Sequence, residues 1–192
     1  LTPLGLPLQR VTSQAEERRR FLLRPDLGRR LPEGTVLPKA PGSIALVIAD
    51  GLCASGVQQQ APALLSVLVP ALSKAGFTPG PVIIAEQARV ALGDDVAEAM
   101  EAAAVVVLIG ERPGLSATDS MGLYITWAAR RGSNDAMRNC ISNIRPGGLS
   151  ADVAAAKALW LLAEARKLGA TGVALKDEMP VSYTHLRAHE TV

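Results

Sequence analysis

The hydrophobic residues of the chain fall into short unbroken runs, separated by stretches in which they recur every three or four positions. Ile44-Ala45-Leu46-Val47-Ile48-Ala49 is the first clear run. It is too short for a buried helix and rich in β-branched residues, so it predicts a strand covered on both faces. Asp50-Gly51 ends it. Gln60 to Ala75 sets Leu64, Leu65, Leu68 and Leu72 on one helical stripe and closes at Gly76. Pro62 suits a first turn there, whereas Pro70 should kink the helix. The pattern repeats with a strand at Pro81 to Ala85, a short amphipathic helix at Asp94 to Ala103 and a strand at Val105 to Ile109. A fourth strand is expected at Cys140 to Ile144, halted by Arg145-Pro146-Gly147-Gly148. An Ala-rich helix then runs from Ala151 to Leu168, with Gly169 as its cap.

This alternation predicts an α/β, Rossmann-like fold with a mostly parallel sheet covered by helices on both faces. Composition fits one such domain: of 192 residues 48% are hydrophobic and 20% charged, which supplies a core and excludes general disorder. Lys and Arg number 20 against 18 acidic residues, so a net charge of +2 gives no electrostatic case for a nucleic acid or an anionic membrane. Aromatics at 3% also argue against base-stacking platforms. Cys53 and Cys140 are too few for a disulfide framework or a four-thiolate metal site, and no signal peptide opens the sequence, so a reducing cytoplasm is expected.

The ends stand apart from the middle. Residues 1–20 begin at Leu1 and pass abruptly from a Pro- and Gly-containing stretch into a charged run, as expected of a truncated N-terminal segment; residues 21–178 form the domain. Val181 to Thr191 (VSYTHLRAHET) departs from the Ala/Val/Leu-rich style before it. It reads as the translation of a sequencing-library adapter, so 181–192 is set aside. Both histidines, His185 and His189, lie in that tail. The net charge stays at +2 without Arg187 and Glu190, but no histidine remains, and a His-x3-His metal pair is excluded with the tail.

Ligands of such sheets sit beyond the carboxyl ends of the strands, which directs attention to Asp50 to Gly56, Gly110 to Leu115 and Ser142 to Gly148. No Gly-x-Gly-x-x-Gly occurs for a dinucleotide. Gly51-x4-Gly56 is followed by Val57 and Gln58 instead of the Lys and Ser/Thr of a P-loop. Without histidine there is no Ser-His-Asp or Cys-His relay. Carboxylates remain for acid–base work: Asp50, Glu111, Asp119 and Asp135 sit near loops, with Asp119 and Asp135 better read as solvated or capping groups. Glu111 follows a buried strand and precedes a Pro-Gly turn, where it could accept hydrogen bonds from a ligand amide or hydroxyl. Cys140 reads equally as a small core residue or a ligand-lining one, and Cys53 as structural. Trp127 and Trp160 read as core or interface anchors. Arg18, Arg19, Arg20, Arg24, Arg29 and Arg30 form either part of a docking surface or, for the first three, a solvated basic face.

Four stretches, in this order and spacing, carry a resemblance: Phe21 to Leu31 (FLLRPDLGRRL), Ile48 to Leu52 (IADGL), Gly110 to Leu115 (GERPGL) and Cys140 to Gly148 (CISNIRPGG). Together they resemble the small subunit of ethanolamine ammonia-lyase from about Leu8 to Glu178. The resemblance implies a light chain that packs on a larger barrel-forming subunit in a hetero-oligomer and holds adenosylcobalamin between them. The assembly would convert ethanolamine to acetaldehyde and ammonia, in the cytoplasm and within a bacterial microcompartment. It further implies that the substrate pocket belongs to the large subunit, so no catalytic residue falls here. The cobalamin contacts it implies are Val90, Glu111 and Cys140. Asp50-Gly51-Leu52-Cys53 lacks the histidine with which some cobalamin mutases ligate cobalt, so the cofactor's own base is expected to stay bound. The family's long N-terminal extension is missing from this sequence. The readings from other classes are a stand-alone Rossmann-like nucleotide- or cobalamin-binding module and a purely structural light chain.

Overall fold

A computed structural model describes residues 4–114 and 118–179 of the chain. The apolar run expected to form a doubly covered strand is β2 (Ile44–Ala49), and each of its residues is buried. Before it come β1 (Leu8–Thr12) and α1 (Arg18–Leu23); after it come α2 (Ala54–Lys74), β3 (Pro79–Glu86), α3 (Leu92–Met100) and β4 (Ala104–Gly110). The chain continues through β5 (Met121–Trp127), β6 (Asn139–Ile144) and α4 (Ala151–Leu168). Short 3-10 turns occupy Leu27–Arg29, Asp135–Met137 and Gly172–Ala174.

The strands form one six-stranded sheet in the order β1-β3-β2-β4-β5-β6. Its β1, β3, β2 and β4 run parallel, but β4 with β5 and β5 with β6 are antiparallel. The sheet is therefore mixed, which corrects the expectation of a mostly parallel one. The cause is the connection from Glu111 to Ser120, too short to hold a crossover helix, so the chain turns back directly along β4. β5 escaped the sequence reading altogether. β1 lies in the segment set apart by composition, yet it pairs with β3 as the edge strand.

Each strand divides its side chains between two cores. Ile44, Leu46 and Ile48 join Val106, Leu123 and Ile141 beneath α2 and α4; Ala45, Val47 and Ala49 join Val105 and Val107 beneath α3. Coverage is unequal, because the second face carries only the short α3 and the extended stretch around Leu31 and Leu37. Trp127 and Trp160 pack, partly buried, against the α2/α4 core.

Helix α2 starts six residues before the expected Gln60, so Pro62 and Pro70 both fall inside it. Both are exposed, as are Gln58 and Ser66, whose carbonyls lose their amide partners to the two prolines. Water can serve those carbonyls, and the apolar stripe of Leu64, Leu65, Leu68 and Leu72 stays buried as expected. Helix α4 has the expected bounds: the Ser150 hydroxyl accepts from the Val153 N–H at its start, and Gly169 takes a left-handed φ of 74° at its end. Among the described residues no helix is long and apolar enough to cross a membrane.

Candidate functional site

Because α3 lies over β2 and β4, the same face of β5 and β6 is left uncovered. A cleft of about 620 Å³ occupies this space and reaches the carboxyl ends of β2, β3 and β4. Its position matches the loops singled out from the sequence only in part, since one wall is the open sheet face itself.

The first wall is the turn between β3 and α3, which carries Arg89, Val90 and Ala91 into the cleft. Gln87 takes a left-handed φ of 52° there. The Asp50 carboxylate holds the turn by accepting from the Gln87 N–H at 2.9 Å and the Ala88 N–H at 3.0 Å. Asp50 is thus a structural clamp, with both oxygens turned to backbone amides. On the other side the Arg89 N–H donates to the Gly28 carbonyl at 2.8 Å.

The floor depends on two glycines. Gly51 has a positive φ of 56°, and a side chain there or at Gly110 would collide with the other loop's backbone. Their close approach lets the Leu52 N–H donate to the Gly110 carbonyl at 3.0 Å. Gly56, expected in a loop, lies inside α2 against the Asp119–Ser120 backbone.

Glu111 leaves β4 beside this floor. Its N–H donates to the Ser120 carbonyl at 3.0 Å, and its carboxylate accepts from the Ser120 hydroxyl and, at 3.3 Å, from the Asn143 N–H. Gly122 makes room for it: a Cβ there would stand 3.0 Å from Glu111 Oε1. The carboxylate therefore lies across β5, half-exposed at the cleft, with acceptor lone pairs to spare.

The open sheet wall presents Tyr124 and Cys140, which face one another in antiparallel register. Cys140 is exposed, which removes the core reading of this thiol and leaves the lining one. Burial pushes the Tyr124 phenol above its ordinary range, helped by the neighbouring Cys140 thiol and the nearby Glu111 charge. Below them Arg138 is buried, with 4% of its side chain exposed against 2% for its partner Asp94. Arg138 donates to both Asp94 oxygens, at 2.6 and 2.7 Å, and to Thr126 Oγ1 at 3.1 Å. This pair ties α3 to the segment that enters β6.

Val90, Glu111 and Cys140, far apart in the chain, thus line one cleft. Asp135 lines it too and accepts from Arg138 Nε at 3.3 Å, with 86% of its side chain exposed. Asp119 is half-buried outside the lining. Cys53 is buried, its Sγ 3.1 Å from the Thr118 carbonyl. Of the arginine cluster, Arg18 donates to the Gly51 carbonyl at 2.7 Å, while Arg20, Arg24 and Arg30 pair with Glu16, Asp26 and Asp95. Arg29 alone of that cluster lines the cleft. No group of three or more metal-ligating side chains occurs among the described residues; His185 and His189 lie outside them, as does Leu115. The sequence reading missed Tyr124, Arg89, Arg112 and Arg138. Tyr124 could have been found from the alternation Met121, Leu123, Ile125 around it.

The chain matches the ethanolamine ammonia-lyase light chain (EutC) family over residues 1–176. It is 48% identical over 184 residues to an ethanolamine ammonia-lyase small subunit of Bradyrhizobium diazoefficiens, covering 93% of this chain and 70% of that protein. Small subunits of Rhodopseudomonas palustris, 47% identical over 93% of this chain and 70% of theirs, and Azotobacter vinelandii, 46% over 93% and 69%, are similar. A mixed sheet with an open cleft, matched nearly from end to end by these relatives, belongs to the light-chain, or small-subunit, family of ethanolamine ammonia-lyase.

Proposed function

We propose that this chain binds adenosylcobalamin in the cleft between α3 and β6, with a large subunit closing over it, in an enzyme that converts ethanolamine to acetaldehyde and ammonia. The observation that carries the reading is the convergence of Val90, Glu111 and Cys140 on one cleft. The lining suits a corrinoid. Corrin edges carry neutral amides and methyl groups, and here a held carboxylate acceptor stands among small or apolar surfaces at Val90, Ala91, Gly110 and Cys140. No histidine is among the described residues that line the cleft. A corrinoid is larger than about 620 Å³, so part of it must be covered by a second surface, which is the role the reading gives to the large subunit.

When bound, the cofactor supplies the radical chemistry that begins at its cobalt–carbon bond. The chain's own residues bind and orient. Glu111, fixed by Ser120 and Asn143, offers a directed acceptor to a side amide. The Gly51 and Gly110 floor permits close approach, and the Arg138–Asp94 pair keeps the open face of β5 and β6 rigid. No residue of this chain is assigned to proton transfer.

The reading is tested by co-expressing the chain with an ethanolamine ammonia-lyase large subunit and titrating the purified complex with cobalamin. The expected result is a stoichiometric corrinoid spectrum and deamination of ethanolamine. A complex that assembles but never takes up the corrinoid would leave only a bracing role.

A further inference from the structure

The α1-side end of the cleft holds more positive charge than corrin amides require. Arg29, Arg89 and Arg112 line it, reaching in from the 3-10 turn after α1, the β3–α3 turn and the loop after β4. The carboxylates around them are already engaged. Asp26 pairs with Arg24, Asp50 holds two backbone amides, Glu111 holds Ser120 and Asn143, and Asp94 holds Arg138. Arg29 and Arg112 are left without an ion pair among the described residues.

Arg89 is the most constrained of the three. Its guanidinium carbon stands 4.1 Å from the Phe21 ring centroid, and Arg18 approaches the same ring at 4.8 Å. Its Nη2 makes one long bond, 3.4 Å, to the Phe21 carbonyl. Its Nε–H is buried without a partner among the described residues, a state that buried donors rarely keep unless water or a ligand completes them. Desolvation first lowers the proton affinity of this group, and the like charges of Arg18, Arg29 and Arg112 lower it further against the opposing charge of Asp50. An anion between them would relieve that repulsion, and the planar fork of arginine matches phosphate oxygens.

We propose that Arg29, Arg89 and Arg112 form an anion subsite that takes a phosphodiester, the one in the nucleotide loop of the bound corrinoid. The proposal rests on reading the cleft as a corrinoid site and adds an orientation: the nucleotide loop lies toward α1 and the corrin edge toward Glu111 and Cys140. A free nucleotide carries similar phosphate chemistry, so the test must separate the two sources.

The test uses the complex with the large subunit, its assembly verified by sedimentation, and equilibrium titrations with cobalamin, with cobinamide, which lacks the phosphodiester and nucleotide, and with AMP. Arg29→Gln and Arg112→Gln, at exposed positions, are each expected to weaken cobalamin about tenfold while leaving cobinamide within about twofold. Arg89→Gln should do the same more strongly. Because it also loses its stacking on Phe21, the two exposed variants decide the matter if it fails to fold. Equal loss for both corrinoids, or loss for neither, overturns the subsite and leaves the corrinoid reading standing. So does dissociation of the complex in place of weaker binding, which would make the arginines a subunit contact. Arginine-dependent binding of AMP with cobalamin unaffected would assign the subsite to a separate nucleotide. A wild-type complex that binds neither corrinoid overturns both readings.

Discussion

The two faces of one sheet meet different demands. Toward α2 and α4, Leu46, Val106, Leu123 and Ile141 are at most 5% exposed in a continuous apolar layer. Toward α3 the same strands bury Val47 and Val107, but the covering helix ends before β5 and β6, and Tyr124 and Cys140 look into an open cleft. A long helix pair closes one face over β2, β4, β5 and β6. A nine-residue helix cannot close the other, and the uncovered strip is where candidate ligand groups gather. The difference separates stability from binding: substitutions on the closed face should cost folding free energy alone, and those on the open face should cost affinity.

The largest expected effect lies where the two demands meet. Asp94→Ala would leave the buried Arg138 guanidinium with only the exposed Asp135 carboxylate as counter-charge, and a loss of about 3 kcal/mol is expected in urea unfolding. Replacing the pair together by Leu and Met should restore most of that loss, because two apolar groups need no partner. A single-variant loss below about 1 kcal/mol would mean that water reaches the pair and that the open face is not held by it.

Next comes the closed face. Leu68 is fully buried between α2 and the sheet, and Leu68→Ala should cost about 3 kcal/mol through lost contacts and the cavity left behind. Corrinoid affinity of the assembled complex should be unchanged. A matching fall in affinity would show that the faces are mechanically coupled and would remove the division drawn between them.

The same division explains what could be read from the sequence. The parallel strands β2, β3 and β4 are nearly continuous apolar runs because both faces are covered, and they stood out with helix α4 at close to their true bounds. β5 alternates, because only Met121, Leu123 and Ile125 face a helix, and with Gly122 in its second position it was passed over. That omission produced the expectation of a mostly parallel sheet. The strand ends directed attention to the loops that hold Gly51 and Gly110, but the near contact of their backbones is a tertiary feature that no local pattern records. Position after a buried strand pointed to Glu111 and left Cys140 open, and the resemblance supplied Val90 and joined the three. Arg89 and Arg138 were hidden for a physical reason: their environments are built from residues distant in sequence, such as Phe21 for Arg89 and Asp94 for Arg138, and no local spacing records either pairing.

On the open face, Glu111→Ala should weaken cobalamin binding to the complex about fivefold, close to 1 kcal/mol, by removing one held acceptor. Unfolding should change by about 1 kcal/mol, since the exposed Asn143 amide turns to water while the buried Ser120 hydroxyl loses its carboxylate partner. Unchanged affinity with a large loss of stability would reverse the assignment and make Glu111 a strut between β4 and β6.

Tyr124→Phe gives the smallest effect and the finest test of how open that face is. Burial, then the neighbouring Cys140 thiol and the Glu111 charge, raises the phenol above its ordinary 10.0, so the folded state holds the proton more tightly than the unfolded chain does. Stability from this difference is fully present below pH 10 and is lost as pH rises toward the folded value. Near neutrality the variant and the wild type should therefore unfold alike to within about 1 kcal/mol. Above pH 10 the wild type should lose stability relative to the variant, with a slope approaching about 1.4 kcal/mol per pH unit for one proton. Parallel pH profiles for the two proteins would mean that Tyr124 titrates as a solvated phenol and that its side of the cleft is wetter than its packing implies.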